Sequence, residues 1–140
     1  MLRMWLNSNH DPSVLNLLWL SGPAGVGKSA IARSFAEYCS TIGRLGAAFF
    51  IPRAREHASN NFDKFVPTIA YQLALQHAEY KNFIAATLSE DPLILSKGFS
   101  TQFLKLIEEP LSHVFDDLLQ RPLVIIVDGL EQCGSEKAQL

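Results

Sequence analysis

The sequence has few cysteines and histidines and no large excess of charge of either sign, and each of these features excludes a class of protein. The two cysteines, Cys39 and Cys133, are far apart, and the four histidines show no spacing typical of a metal site. We therefore expect no disulfide framework and a reducing compartment. Lysine and arginine total 12 against 14 acidic residues, for a net charge of −2. Because no basic stripe stands out, we expect no nucleic-acid partner.

Long apolar runs are also missing. Residues 14–20 are apolar but interrupted by Asn16, and they fall far short of the roughly 20 residues that a membrane-spanning helix needs. The N-terminus lacks the apolar centre of a signal peptide. We therefore expect no membrane partner and a cytoplasmic location. Hydrophobic residues still make up 48% of the 140 positions, which is enough for the core of one small domain.

The N-terminal half alternates short apolar runs with turn residues. Residues 1–13 form a lead-in segment, and the apolar run 14–20 is predicted to be a buried strand. After a glycine-rich loop, residues 28–41 carry apolar side chains at helical spacing, and Gly43 is placed to end that helix. A second buried strand is predicted over residues 45–51, which Pro52 follows directly.

The C-terminal half is predicted to be largely helical. One helix starts near Asp63, whose carboxylate suits an N-cap, and a shorter one covers residues 80–88. Residues 100–120 form a further helical stretch that Pro110 bends or divides. Residues 123–127 are all apolar, which is typical of a strand buried on both faces. This order of elements predicts an α/β fold with a short parallel sheet flanked by helices.

The glycine-rich loop matches the pattern G-x-x-x-x-G-K-[ST] at every fixed position. Glycines let backbone N–H groups approach a polyphosphate, and the helix that follows directs its positive end at the same place. Lys28 can reach the β- and γ-phosphates, and the Ser29 hydroxyl is a suitable ligand for Mg²⁺. The alternative is a glycine-rich turn that matches the pattern by chance. Such a turn would not need a strand before it and a helix after it, and both are predicted here. The residues predicted to bind ATP or GTP are Gly22, Pro23, Ala24, Gly25, Val26, Gly27, Lys28, Ser29 and Ala30.

An acidic residue, Asp128, directly follows the most apolar predicted strand. Carboxyl ends of parallel strands meet at one edge of a sheet, so Asp128 and Ser29 are expected to hold Mg²⁺ together. Glu131 is a candidate to orient or deprotonate the attacking water. The plainer alternatives are that Asp128 only ends the strand and that Glu131 is a solvated loop residue.

Taken in order, these segments resemble the NACHT domains of large fungal signalling proteins, which are P-loop NTPases of the STAND type. The matching segments are residues 18–32 around the loop, 47–53 at the second strand, 66–74 in the next helix and 127–134 at the acidic strand end. The resemblance covers nearly the whole chain. It implies that residues 14–140 are a truncated NTPase domain, a partial three-layer sandwich that runs from Walker A to Walker B.

The resemblance implies a nucleotide-gated switch, in which NTP binding favours an open, self-associating state and hydrolysis resets it. Effector and repeat domains of a longer protein are the partners that it implies. Where the family has Asp-x-x-Asp-Glu, this chain has Glu131 followed by Gln132, and glutamine cannot accept a proton from water. Glu131 and Gln132 are the candidate catalytic residues, and we expect slow hydrolysis. The family also has a further strand between the P-loop strand and the Walker B strand; it is not among these 140 residues, so we expect a marginal fold.

Two other functions stay open. One is a nucleotide-binding interaction module with impaired catalysis, or a remnant fragment, which Gln132 favours. The other is a small P-loop kinase of metabolites, but it usually needs a basic lid, and the later half of the chain has no arginine cluster. Arg53 either lies near the γ-phosphate or forms a surface ion pair. ATP and GTP both stay open as the nucleotide, and the absence of a guanine-reading motif of the Asn-Lys-x-Asp type favours ATP.

Overall fold

The computed structural model of the chain describes residues 2–7, 17–23, 25–51 and 63–130. The described part is mostly helical around a two-stranded parallel sheet, which confirms the predicted α/β class. In it, no helix combines the length and the apolar character needed to cross a bilayer. In chain order the elements are helix α1 (Leu2–Asn7), helix α2 (Lys28–Thr41), strand β1 (Leu45–Phe50), helix α3 (Phe65–Gln76), helix α4 (Ala78–Glu90), a 3-10 turn (Ile94–Ser96), helix α5 (Phe99–Phe103), a π-helical segment (Leu104–Glu108), helix α6 (Glu109–His113), helix α7 (Phe115–Gln120) and strand β2 (Val124–Asp128).

The sheet separates two hydrophobic clusters. Strands β1 and β2 run parallel, with Leu45 opposite Val124 and Phe50 opposite Asp128. On one face, α2 and the lead-in helix α1 pack against the strands, and on the other face α3 packs against β1. The smaller cluster consists of Leu6, Phe35, Cys39 and Val124. The larger consists of Ala47, Val66, Ile69, Ala70, Leu73, Tyr80, Ile94, Leu106, Ile107 and Val114.

Local sequence signals set both ends of α2. The helix covers the predicted residues, and its N-cap Gly27 has a φ of 87°. At the other end Gly43 has a φ of 69°, which side chains disfavour and glycine tolerates. Its N–H donates to the Ser40 carbonyl at 3.0 Å, and the Arg44 N–H donates to the Cys39 carbonyl at 2.8 Å. These two bonds are a Schellman motif, so the prediction that Gly43 ends the helix is confirmed.

The predicted N-cap of α3 is wrong. The helix begins at Phe65, Lys64 occupies the cap position, and no side chain makes a capping bond there. Lys64 has nearly helical backbone angles, φ −87° and ψ −7°, so the chain approaches the helix without the extended residue that a side-chain cap requires. The next helix is longer than predicted at both ends, and its earlier start is due to an N-cap: the His77 Nδ1 atom accepts the Tyr80 N–H at 3.3 Å.

Pro110 changes the hydrogen bonding of its helix without ending it. Helix α5 continues through the π-helical segment into α6, so the stretch is divided by a bulge rather than broken. In an α-helix the amide of residue 110 would donate to the Leu106 carbonyl, and proline has no N–H. The hydroxyl of Tyr80 donates to that carbonyl instead. Tyr80 and Leu106 are both 1% exposed, so the tyrosine satisfies an acceptor that water does not reach.

The predicted strand over residues 14–20 is not observed in its described part. Residues 17–20 have no regular structure, and Leu17 and Trp19 are 77% and 71% exposed; residues 14–16 lie outside the described residues. A strand exists only where its backbone has a hydrogen-bonding neighbour. Neither β1 nor β2 supplies one to this segment, so Leu17 and Trp19 stay in solvent and Leu18 and Leu20 are only half-buried.

The prediction that the last strand is buried on both faces is also wrong. Val124 is buried against α2, whereas Ile125, which points to the opposite face, is 41% exposed. On that face α3 packs against β1 and leaves the β2 side partly open. An apolar run therefore identified the strand, but it overestimated how much of it is covered.

The two edges of the sheet differ. At the outer edge of β1, the Gln72 side chain of α3 pairs with the backbone of Ala48: Oε1 accepts its N–H at 2.9 Å, and Nε2 donates to its carbonyl at 3.0 Å. The side-chain amide thus occupies the place of a neighbouring strand's peptide group. In the part of the chain that the structure describes, no side chain pairs in this way with β2, so among those residues the β2 edge has no partner.

Candidate functional site

The glycine-rich loop adopts a conformation that only glycines allow without strain. Gly25 has a φ of 84° and Gly27 a φ of 87°. A Cβ added to Gly22 would lie 3.2 Å from the Cγ2 atom of Val26, so the loop closes tightly across its own base. The loop residues that are described, from Gly22 to Gly27, are exposed, and Ala24 lies outside the described residues. The loop therefore offers its backbone to solvent and to ligands.

Three backbone amides at the start of α2 are not used by the helix. The first intrahelical bond runs from the Ile31 N–H to the Gly27 carbonyl, at 3.0 Å. The N–H groups of Lys28, Ser29 and Ala30 precede that bond, as in the first turn of any helix. They carry the positive end of a 14-residue helix, which makes this end suited to an anion.

The Lys28 side chain folds back over the loop. Its ammonium group donates to the carbonyl oxygen of Gly22. This bond holds the positive charge beside the first glycine of the loop, at an exposed position. An ammonium group has three donors, so the contact with Gly22 leaves others for a ligand.

Asp128 and the start of α2 lie at the same end of the sheet, where the carboxyl ends of the strands are. Cys39, near the end of α2, packs with Val124 at the start of β2. Arg33, six residues earlier in the helix, places its guanidinium 4.9 Å from the ring centre of Phe50, at the end of β1. The helix therefore runs antiparallel to the strands, and its N-terminus points toward their carboxyl ends. Asp128 is paired in register with Phe50 at that end of the sheet.

The backbone around Asp128 is fixed, and its carboxylate is available. The Asp128 carbonyl accepts the Ile51 N–H at 2.9 Å, which closes the end of the sheet. The next residue, Gly129, has a φ of 86°, and a Cβ there would lie 2.6 Å from the Ile51 carbonyl oxygen. Because side chains alternate along a strand, Asp128 shares the α2 face with Val124. Within the described chain its carboxylate makes no hydrogen bond or ion pair.

The predicted site extends beyond the described residues, and two residues near the site were not predicted. Glu131, Gln132 and Arg53 lie outside the described residues. Arg33 was missed, although its spacing of four from Ser29 places it one turn along the helix that the loop begins. Gly129 was missed as well, although a glycine directly after a strand-ending carboxylate suggests a close backbone approach. Among the described residues, no three His, Cys, Asp or Glu side chains come together as a metal site.

The architecture is that of a mixed α/β protein in which a glycine-rich loop enters a helix on one face of a parallel sheet. Comparison with protein families gives one assignment. The chain belongs to the family described as Nephrocystin 3, N-terminal, whose model matches residues 1–140. No curated protein and no solved structure shows a significant match to the chain.

Proposed function

We propose that the chain binds a nucleoside triphosphate, ATP in preference to GTP, together with Mg²⁺ at the loop formed by residues 22–29. The observation that carries the proposal is the loop's entry into α2. Two glycines in the left-handed region, three amides that precede the helical ladder and a folded-back Lys28 lie together in the exposed loop and the first turn of α2. This combination supplies the donors that a polyphosphate requires.

Each residue has a specific role in the proposal. The amides of the loop and of the first helical turn bind the phosphate oxygens, and the Lys28 ammonium uses the donors that its bond to the Gly22 carbonyl leaves free for the terminal phosphates. The exposed Ser29 hydroxyl and the Asp128 carboxylate, which has no partner among the described residues, are hard oxygen ligands, which fit Mg²⁺. Since these two side chains alone do not make a metal site, phosphate oxygens and water would supply the remaining ligands.

We further propose that the chain is part of a NACHT-type switch, as its motifs suggest. The exposed Leu17 and Trp19 support this interpretation, because in such domains a further strand lies between the P-loop strand and the Walker B strand. The β2 edge, which no side chain closes in the described part of the chain, is where that strand would add. In this interpretation the exposure of Leu17 and Trp19 and the unpaired edge of β2 have one cause, the absence of a strand between residues 17–20 and β2.

The test is a titration of the chain with fluorescent ATP and GTP analogues, with and without Mg²⁺. Lys28→Ala should weaken binding by about ten- to a hundredfold, because a charge-assisted hydrogen bond contributes about 1.5–3 kcal/mol. Lys81→Ala, which changes an exposed lysine of α4, is the matched control and should leave the affinity unchanged. Absence of binding, or equal binding by the wild type and Lys28→Ala, would refute the proposal.

A second candidate function is nucleotide binding with little hydrolysis. The observation that favours it is Gln132, which stands in sequence where the resembling family has a glutamate. Single-turnover hydrolysis should be slow in the wild type and should rise in Gln132→Glu, with nucleotide affinity unchanged. An equal rate in both proteins would show that residue 132 does not limit hydrolysis.

A further inference from the structure

A cleft away from the glycine-rich loop lies between the start of α3 and the 3-10 turn that leads into α5. Its volume is about 300 Å³. This is at the lower end of ligand pockets, which span roughly 300–1,000 Å³, so the cleft suits one extended side chain better than a large cofactor. The lining residues that matter for recognition are Asp63, Val66, Leu95, Lys97, Phe99 and Gln102.

A buried amide places a hydrogen-bond acceptor in this cleft. Gln102 is 7% exposed, and its Nε2 atom donates to the carbonyls of Leu95 at 3.1 Å and of Lys97 at 2.7 Å. Since both partners are acceptors, the nitrogen must face them, and the other amide atom is the oxygen Oε1. Oε1 has no protein partner in the described chain. No unpaired side-chain oxygen or nitrogen there is fully buried, so Oε1 remains accessible, and the cleft that Gln102 lines is the route to it.

The charges around the cleft favour a cation. Asp63 is exposed and, because it does not cap α3, its carboxylate makes no hydrogen bond or ion pair within the described residues. The ammonium of Lys97 is paired with Asp91, which offsets its charge. The helix that begins at Phe99 contributes about half a positive charge at the opposite wall, less than the full charge of Asp63. The net charge facing a ligand is therefore negative.

We propose that this cleft binds an arginine side chain of a peptide partner. The aliphatic stem lies against Val66, Leu95 and Phe99, and the guanidinium donates to the Asp63 carboxylate and to Gln102 Oε1. Arginine suits the site better than lysine, because its donors form a planar fork that can reach two acceptors at once. This site does not depend on the proposed nucleotide site, and neither proposal requires the other.

The test is an NMR titration of the ¹⁵N-labelled chain with acetyl-arginine-amide. Signals of the Gly98 and Phe99 amides and of the Gln102 side-chain amide should shift and saturate. Acetyl-citrulline-amide has nearly the same shape without the charge and should bind at least about fivefold more weakly, which corresponds to about 1 kcal/mol. Asp63→Asn should weaken arginine binding by a similar factor, whereas Asp116→Asn, in an exposed acid of α7, should not.

Asp63→Asn changes an exposed side chain that has no partner among the described residues, so it should leave the fold intact, and an unchanged spectrum elsewhere checks this. Equal affinity for the arginine and citrulline compounds overturns the proposal, as does an Asp63→Asn variant that binds arginine as well as the wild type. Titration with inorganic phosphate gives a third outcome. Saturating shifts at the Gly98 and Phe99 amides would mean that the helix start determines the charge preference, and this also overturns the proposal.

Discussion

The hydroxyl of Tyr80 is expected to stabilise the fold by donating a hydrogen bond to one acceptor, the carbonyl of Leu106. Both residues are 1% exposed, and Pro110 cannot supply the amide that would serve that carbonyl in an α-helix. Tyr80→Phe keeps the ring and leaves the carbonyl buried without this donor. An unsatisfied buried polar group costs about 1–3 kcal/mol, so we expect a loss of about 2 kcal/mol. With a urea slope of about 1–3 kcal/mol/M, the midpoint should fall by about 1 M.

A double-mutant cycle distinguishes this explanation from a general effect of changing the core. Pro110→Ala restores a backbone N–H four residues after Leu106, so in that background Tyr80→Phe should cost about 1 kcal/mol less. Urea unfolding, followed by circular dichroism, gives the four free energies of unfolding. Tyr71→Phe is the control, because Tyr71 is 66% exposed, and it should change stability by less than about 0.5 kcal/mol. An equal cost of Tyr80→Phe in both backgrounds would refute the proposed role of Pro110.

Two further predictions concern the same core and the end of the sheet. Burial raises the pKa of Tyr80 above its ordinary value of 10.0, so its contribution is complete below pH 10 and is lost as the pH rises further. The free energy of unfolding should therefore fall by up to about 1.4 kcal/mol per pH unit above pH 10. Tyr80→Phe should remove this part of the pH dependence. The same slope against pH in the wild type and in Tyr80→Phe would contradict the prediction. Gly129→Ala should cost about 2–4 kcal/mol in urea unfolding, because its φ is 86° and its Cβ would lie 2.6 Å from the Ile51 carbonyl oxygen. Gly98→Ala, with a φ of −64° and no atom near the added Cβ, should cost less than about 1 kcal/mol, and similar losses in both variants would contradict the steric argument.

Features that depend on neighbouring residues in the chain were predictable from the sequence. The start of α2 after Gly27 and its end at Gly43 follow from glycine conformations and from hydrogen bonds that span a few residues. The strand that ends at Asp128 was recognisable from its apolar run. These signals also located the loop and the carboxylate of the candidate site, because both lie at the ends of such elements.

Features that depend on a distant partner were not predictable. Residues 17–20 have the composition of a strand, but composition does not reveal whether a neighbouring strand is present to bond with them. The acceptor role of Leu106 requires a tyrosine 26 residues away in sequence. Likewise, Asp63 has the side chain of an N-cap, and only the backbone angles of Lys64 show that the cap geometry is missing. In each case the missing information is a contact, which residue type alone does not determine.

The closed edge of the sheet provides the last prediction. Gln72 satisfies both the N–H and the carbonyl of Ala48, as a neighbouring strand would. Gln72→Ala leaves both groups without a protein partner at a partly buried position and should cost about 1–3 kcal/mol. Gln76→Ala, in an exposed residue of the same helix, is the matched control and should have little effect.

Hydrogen exchange is the direct measurement, because the Ala48 amide should exchange much faster in Gln72→Ala and at the wild-type rate in Gln76→Ala. An unpaired edge also invites pairing with a second chain, so sedimentation of Gln72→Ala should show association that grows with concentration. Unchanged protection of the Ala48 amide would show that Gln72 does not close this edge. If Gln72→Ala associates while the wild type stays monomeric, the open β2 edge is not by itself sufficient for association. The proposed additional strand would then have to come with contacts beyond those of the strand edge alone.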